Sequence, residues 1–240
     1  MSSSTTAPRA WWQANPGAGL LHVEASLLRD ELDNVFGWEM LQVGDWGPPG
    51  QLLRGARTRR QTAIGGLGQV QARAAQLPIA SDSIDAVLLP HTLEYEIDPY
   101  AVIREVDRVL VGEGTLLILG FRPLGPWGMR ALAARHGFPP GLKRVNREGR
   151  LRDWLKLLGY EVAPPRHYLY SLPMRRWGEP LPSQDSPAAL RRGWWYPLPA
   201  SAYILRARKR LFTLTPVRQR RSDRRRLLGG LANPTTQARL

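Results

Sequence analysis

Apolar and polar residues form two distinct patterns in the middle of this chain. Near-continuous apolar runs at 84–89 and 115–120 flank a segment, 98–110, whose apolar residues recur every three or four positions. The two runs predict strands that are buried on both faces of a parallel sheet, and the segment between them predicts the connecting helix. Asp98 and Pro99 are the residue types with which such a helix begins. A βαβ unit is therefore the first element that the sequence predicts.

The same patterns extend the sheet on both sides of this unit. Residues 20–36 carry apolar residues at helical spacing with charged residues between them, which predicts an amphipathic helix, and the preceding Trp11 and Trp12 are expected to dock on the domain. We also expect strands at 38–43, 160–162 and 202–208, helices at 127–136 and 146–158, and, within 51–76, a short helix and two short strands near 62–64 and 69–72. The predicted fold class is α/β, with a mostly parallel sheet, helices on both faces and an antiparallel last strand.

Composition divides the chain into three parts. An N-terminal segment with the amphipathic helix (1–37) precedes a single α/β domain (38–208), and an Arg-rich tail (209–240) follows. Eight prolines predict that 163–199 is an irregular insertion within the domain. The net charge of +14 is concentrated in 206–240, where ten Arg and one Lys face one Asp and give +10. We expect this tail to be disordered.

The cysteine and histidine content limits the chemistry. The chain contains no cysteine, which excludes disulfides and thiolate catalysis and favours a cytoplasmic protein. Its four histidines lack metal-binding spacing, so no metal site is predicted. The apolar runs are shorter than the roughly 18 residues of a membrane-spanning helix, and the N-terminus lacks the order of a signal peptide. We therefore expect a cytoplasmic location and no membrane partner.

Residues 77–121 resemble the second half of a class I S-adenosylmethionine-dependent methyltransferase domain of the type 11 kind. The likeness is carried by LP-x6-D-x-V-L, which begins at Leu77, and by DPYAVIREVDRVLVGEGTLLILGF, which begins at Asp98. It implies the Rossmann-like sheet of that class, S-adenosylmethionine as the cofactor, and transfer of its methyl group to an acceptor that the sequence does not identify.

The resemblance also implies where the cofactor would bind. Members of this class follow their first strand with a G-x-G-x-G turn, whose glycines let the backbone approach the ligand. The cofactor-binding residues implied in this chain are Gly44, Asp45, Trp46, Gly47, Arg73, Ala74 and Pro90.

Three acids of the family pattern are missing around this turn. Gln42 replaces the acid before the first glycine, no Asp or Glu occurs within 51–81 to bind the ribose, and Arg73 replaces the acid that meets the adenine. Each lost acid removes a charge-assisted hydrogen bond of about 1.5–3 kcal/mol, so several such losses weaken binding by powers of ten. Asp45 reaching the ribose, or stacking on Trp46, would recover part of this. The alternative is that GDWGPPG is only a tight strand-to-helix turn.

A second family pattern overlaps the same turn. Gly44, Gly47 and Gly50 form G-x-x-G-x-x-G, which resembles the nicotinamide-binding turn of extended short-chain dehydrogenases. That family uses a Tyr-x-x-x-Lys pair for proton transfer, and no tyrosine of this chain has a lysine four residues later. The methyltransferase interpretation is therefore preferred.

The segment after the strand 84–89 is the expected rim of the site. His91 is the candidate catalytic residue, either as a general base or in shaping the acceptor site, and the alternative is that its ring only hydrogen-bonds the loop backbone. Glu94 and Glu96 are expected to be solvated loop carboxylates. Trp127 is expected to form a lid, or to cover an apolar edge, together with the tryptophans of the insertion. These are Trp177, Trp194 and Trp195.

The Arg-rich stretch 206–226 suggests a partner. Because guanidinium groups bind phosphates and carboxylates with paired hydrogen bonds, we predict contact with nucleic acid or an acidic protein, the alternative being a solvated tail. The predicted function is S-adenosylmethionine-dependent methyl transfer. The alternative is a catalytically inactive methyltransferase-like protein that binds a partner through this basic stretch. The oligomeric state stays open.

Overall fold

The computed structural model describes residues 9–13, 16–134, 138–170 and 199–211. Three predictions lie outside these residues: the disorder of the tail beyond 211, the irregular structure of 171–198, and a lid made by the tryptophans of that segment.

The strands that the structure describes form one sheet. They are β1 (Glu39–Val43), β2 (Arg60–Ile64), β3 (Ile84–Pro90), β4 (Leu110–Phe121), β5 (Tyr160–Val162), β6 (Arg166–Tyr168) and β7 (Ala202–Lys209). Their order is β2-β1-β3-β4-β7-β5, and β6 also pairs with β7. The first four strands of this order are parallel, and β7 is antiparallel to β4, β5 and β6. The predicted α/β class with an antiparallel last strand is confirmed.

The helices that the structure describes cover both faces of the sheet. They are α1 (Arg9–Gln13), α2 (Gly17–Leu32), α3 (Thr92–Tyr95), α4 (Pro99–Val109), α5 (Pro126–Ala133) and α6 (Glu148–Leu157). The start of α4 is confirmed: the Asp98 carboxylate accepts the N–H groups of Tyr100 and Ala101, both at 3.1 Å, and Pro99 has no N–H to satisfy. Its buried residues include Val102, Ile103, Val106 and Val109.

The helix α2 ends at Leu32, before the predicted end at 36. At Gly37, with φ of 153°, the chain passes so close to β3 that an added Cβ would lie 2.4 Å from the Asp85 Cβ. The Asp85 carboxylate accepts the N–H groups of Trp38 and Glu39 at 2.8 and 2.9 Å. These contacts fasten the start of β1 to the start of β3, so the chain between α2 and β1 is irregular rather than helical.

The segment between β1 and β3 is less regular than predicted. The expected short helix is a three-residue 3₁₀ turn at Gln51–Leu53, and the expected strand at 69–72 is a single bridge to the end of β2. At Gly68 the chain folds back so tightly that an added Cβ would lie 2.4 Å from the Ala63 carbonyl oxygen. The described chain from 44 to 83 thus places no long helix after β1.

Two further boundaries differ from the prediction. The strand β4 begins at Leu110 rather than at 115, and β6 lies inside the stretch 163–199 that was predicted to be irregular. Both extensions pair with a neighbouring strand, β4 with the start of β3 and β6 with β7. Backbone hydrogen bonds to a neighbouring strand therefore form β-structure where the side-chain pattern alone does not predict it.

The sheet separates two buried cores. Side chains of α1, α2 and α5 pack on the face that carries Met40 and Leu88, and those of α4 and α6 pack on the face that carries Leu41 and Val87. None of the helices in the described ranges has the combined length and apolar character that crossing a bilayer demands. Trp12 is buried in the first core, which confirms the expected docking of this residue.

Candidate active site at the carboxyl edge of the sheet

The strand order changes direction between β1 and β3, since β2 follows on one side and β4 on the other. Ligands of open α/β sheets bind outside the carboxyl ends of the strands at such a point. The turn after β1, the loop after β2 and the segment after β3 meet there, as the following contacts show. This edge is therefore the candidate site, where the sequence predicted it.

Gly44 fastens the turn after β1 to the start of α3. Its φ is 99°, and an added Cβ would lie 2.5 Å from the Thr92 Oγ1. The Thr92 hydroxyl in turn donates to the Val43 carbonyl oxygen. In this structure the glycine allows close approach to the protein's own chain.

Asp45 is bound to the loop after β2. Its carboxylate accepts the N–H groups of Gly66 and Leu67 at 2.7 and 2.9 Å. An added Cβ on Gly65 would lie 2.1 Å from the Asp45 Oδ1. The carboxylate therefore lies at the end of β2, where the family has its ribose-binding acid, and its oxygens are engaged by backbone.

Trp46 fills the space above the end of β3. The side chain is only 2% exposed, and its ring lies over the His91 imidazole with centroids 4.1 Å apart. Trp12 of α1 meets the same indole edge-on at 4.2 Å, and the rings of Tyr95 and Phe121 lie 6.0 Å away. An aromatic cluster therefore occupies the candidate site.

A buried glutamate on α2 ties this cluster together. The Trp46 Nε1–H donates to the Glu24 Oε2 at 2.6 Å, and the Tyr168 hydroxyl donates to the Glu24 Oε1 at 2.9 Å. The His91 Nε2 lies 2.9 Å from that same oxygen. Glu24 itself is fully buried. In the predicted amphipathic helix Glu24 is one of the charged positions, although Leu20 and Leu28 at four-residue spacing place it within the apolar stripe.

His91 lies between two carboxylates. Its Nδ1 is 2.7 Å from the Glu94 Oε2, while the Glu94 Oε1 accepts the Phe121 N–H at 2.6 Å. Burial lowers the pKa of His91, but the charges of Glu24 and Glu94 outweigh that effect and raise it from 6.5 to about 9. Burial raises the pKa of Glu94, and the charge of His91 offsets part of that rise. The raised pKa favours the protonated ring, in which both nitrogens would donate an N–H to the two carboxylates.

Two interpretations of this segment need correction. Glu94 was expected to be solvated, but it is 1% exposed because α3 turns it toward Phe121 and His91. The His91 ring was expected, in the alternative interpretation, to bond loop backbone, but both nitrogens face carboxylates. Trp127 is buried against Phe121 with parallel rings 6.1 Å apart, as part of the core under this edge.

The remaining predicted residues lie around the cluster. Gly47, with φ of 75°, packs on α2, where an added Cβ would lie 2.6 Å from the Leu21 Cδ1. Pro90 ends β3, and Ala74 is buried in the core on the α4 face. Arg73 is exposed and acts on Glu96, whose pKa burial raises while the charges of Lys143 and Arg73 lower it. Of the predicted cofactor-binding residues, those of the turn and Pro90 therefore lie close together, while Ala74 is part of the core.

These residues do not fit S-adenosylmethionine in the arrangement described. Trp46 stands where the family has its second glycine and fills the space that this glycine would leave. The turn leads into a 3₁₀ turn rather than a helix whose N-terminal N–H groups could face a ligand. A cavity of about 250 Å³ lies instead at the opposite end of the strands, lined by Glu39, Arg60 and Ser83 among others. Among the described residues no group of His, Asp and Glu side chains is suited to a metal ion.

Comparisons with known proteins identify what this fold resembles. A sequence family described as methyltransferase domain matches residues 49–118. The uncharacterized protein YafS of Escherichia coli (strain K12) is 31% identical over 197 residues, which cover 80% of this chain and 77% of that protein. Among solved structures, a SAM-dependent methyltransferase of Thermotoga maritima superposes with a TM-score of 0.52 and 16% identity, over 84% of this chain and 94% of that one. The [4+2]-cyclase SpnF superposes with a TM-score of 0.52 and 22% identity, over 81% and 82% of the two chains.

Proposed function

Because this chain belongs to the class I S-adenosylmethionine-dependent methyltransferase family, we propose that it binds this cofactor at the carboxyl edge of β1 and β3 and methylates an acceptor of unknown identity. The observation that carries the proposal is the strand order β2-β1-β3-β4-β7-β5, with a glycine turn at the point where the order changes direction. The family match includes both the segment after this turn and the strands β3 and most of β4.

The chain's own residues shape this edge in definite ways. Gly44 and Thr92 hold the turn against α3, and Asp45 holds the loop after β2 against the turn. S-adenosylmethionine supplies an activated methyl group on a sulfonium when it is bound, and methyl transfer asks mainly for alignment of the acceptor. These contacts would position the backbone around the acceptor once Trp46 is displaced, and His91, whose raised pKa favours the protonated ring, would contribute positive charge.

Isothermal titration of the full-length protein with S-adenosylmethionine tests the proposal. We expect weak binding, because the missing acids and the buried Trp46 both oppose it, and we expect S-adenosylhomocysteine to compete for the same site. ATP, which shares the adenosine but not the sulfonium, serves as the control ligand. Absence of heat and of competition at about 1 mM ligand, where a Kd of 1 mM corresponds to about −4 kcal/mol, would overturn the proposal if it holds for the wild type and also for variants in which Trp12 or Trp46 is replaced.

A second candidate function is a methyltransferase-like binding protein that uses no cofactor. The observation that favours it is the closed aromatic cluster around Trp46, which leaves the family's cofactor contacts unmade. The cyclase SpnF, by its name, shows that this fold is not confined to methyl transfer. Failure of the titration above would support this candidate.

A partner for the basic stretch 206–226 belongs to the same proposal. In its described part the cations are engaged within the protein: Arg208 and Arg210 lie 3.0 and 2.8 Å from Glu113, and Lys209 lies 3.4 Å from Asp82. These ion pairs hold the end of β7 to the domain. We therefore assign contact with nucleic acid or an acidic protein to the arginines beyond 211.

A further inference from the structure

We infer that the protein's own Trp46 closes the carboxyl edge, that Trp12 packs against this indole and holds it there, and that α1 must move away and release Trp46 before a ligand of cofactor size can bind. This inference rests on the proposed function, since it concerns access to the same site. It follows from the mismatch between the family's cofactor contacts and the residues that stand in their place.

The closure is complete at Trp46. The indole contacts both the His91 imidazole and the Trp12 ring, with centroid distances of 4.1 and 4.2 Å. Only 2% of the side chain remains exposed. A ligand that uses the space of the family's second glycine would have to occupy the volume of this indole, so the two exclude each other.

The two tryptophans are held very differently. The Trp46 Nε1–H donates to a fully buried carboxylate, Glu24, at 2.6 Å, which is a charge-assisted hydrogen bond. The Trp12 Nε1 is also buried, but within the described residues it has no hydrogen-bond partner. A buried N–H without a partner weakens the docked state, because water satisfies it once the ring is released. Trp12 is therefore the weaker of the two attachments and the one that opens first.

The element that carries Trp12 is short. The helix α1 has five residues and is docked on α2 through Gly17, where an added Cβ would lie 2.2 Å from the Trp11 carbonyl oxygen. Trp11 adds ring contacts to Trp46 and Phe138 at 6.0 and 6.4 Å. A helix of five residues that is held mainly by ring contacts is expected to lie at the low-stability end of a fold.

Replacing Trp12 should therefore raise the affinity for S-adenosylmethionine. When only an open state binds, the measured affinity is reduced by the fraction of molecules that are open. We expect Trp12→Ala to lower the Kd for S-adenosylmethionine about tenfold, because it removes the edge-to-face pair that holds Trp46, and one such pair changes an equilibrium constant by up to about tenfold. Trp38→Ala is the matched control: Trp38 is 65% exposed and precedes β1 at the opposite end of that strand. It should leave the Kd unchanged.

The experiment compares full-length wild type, Trp12→Ala, Trp38→Ala and Trp46→Gly by isothermal titration with S-adenosylmethionine, and follows the ligand-induced change in Tm for each. Trp46→Gly restores the family residue and should bind tightest if it folds; if it does not fold, Trp12→Ala decides alone. Equal Kd values for wild type and Trp12→Ala, or an equal gain in Trp38→Ala, would overturn the closure while leaving the proposed function standing. No binding by any folded variant would overturn the proposed function and the closure together, because an emptied edge would still reject the cofactor.

Discussion

Raising the pH is expected to destabilise this protein between pH 6.5 and 9.5, because the buried His91 loses its proton in that interval. The ring is enclosed by Glu24 and Glu94 and carries its charge only for as long as it is protonated. Its pKa is raised from 6.5 to about 9 in the folded state. A group with a raised folded-state pKa stabilises the fold fully below its unfolded value, and this stabilisation is lost as the pH rises through the folded value. The raised pKa of Glu94 acts in the same direction.

The size of the effect follows from the two pKa values of His91. The interval from 6.5 to about 9, at about 1.4 kcal/mol for each pH unit, gives a stabilisation of about 3 kcal/mol. Almost all of it should be lost by pH 9.5. For a chain of this size about 1 kcal/mol corresponds to roughly 2–4 °C in Tm, so Tm should fall by about 6–12 °C. The buried tyrosines Tyr168 and Tyr203 have pKa values raised well above 10 by burial, so their ionisation falls outside this window.

Two measurements check this reasoning. Thermal unfolding of the full-length protein from pH 6.5 to 9.5 should show the fall in Tm, and NMR of ¹⁵N-histidine-labelled protein should show one ring that titrates near pH 9. Glu24→Gln keeps an oxygen acceptor for Trp46 but removes one negative charge, so the ring should titrate at lower pH and the fall should become smaller. His167→Gln is the control, because His167 is half-buried and hydrogen-bonded to Glu148, and this variant should show the same fall in Tm as the wild type. A constant Tm across the interval in wild type would refute the assignment of His91 as a buried imidazolium.

Two further predictions concern the turn after β1 and the basic tail. Gly44→Ala should lower the free energy of unfolding by about 3 kcal/mol, since the new Cβ would be strained at φ of 99° and would clash with α3. Gly50→Ala, at φ of 72° with open space around it, should lower the free energy of unfolding by only about 1 kcal/mol. Urea unfolding measures both variants, and equal losses would contradict the clash at Gly44. Replacing the arginines of 218–226 by glutamine should abolish retention of single-stranded RNA at low salt. The control Arg208→Gln with Arg210→Gln should retain the RNA, because these two arginines are paired with Glu113. If RNA is still retained after the first change, the arginines of the tail are not the binding site.

The part of the fold that the sequence predicted is the part decided by local patterns. The strand 84–89 and the helix after it were predicted because continuous apolar runs and a capped amphipathic segment each specify one element. Asp98 caps α4 in the structure, and Ile103 and Val106 are buried as the helical spacing requires. The resemblance implied a mostly parallel sheet with an antiparallel last strand, while the order β2-β1-β3-β4-β7-β5 was known only from the structure.

The segment from 44 to 83 was harder to predict because backbone geometry decides it. Gly65 and Gly68 allow the chain to approach Asp45 and β2 at distances that any Cβ would forbid. Such approaches leave no periodic signal in the sequence. The predicted helix and second strand are therefore reduced to a 3₁₀ turn and a single bridge.

The interior of the candidate site was beyond the sequence for a different reason. The missing acids showed where ligand contacts are lost, but the residues that replace them come from elements far apart in the chain: Glu24 lies 67 positions from His91 and 144 from Tyr168. An indole in place of the second glycine needs an acceptor for its N–H and apolar contacts for its ring. Glu24 of α2 is the acceptor, and Trp12 of α1 contacts the ring. Glu24 also binds His91 and Tyr168, so the same carboxylate connects the turn after β1 to β3 and β6. The turn and the N-terminal helices are therefore one structural unit, and the cofactor edge of this chain has to be understood together with the residues before β1 rather than from the glycine turn alone.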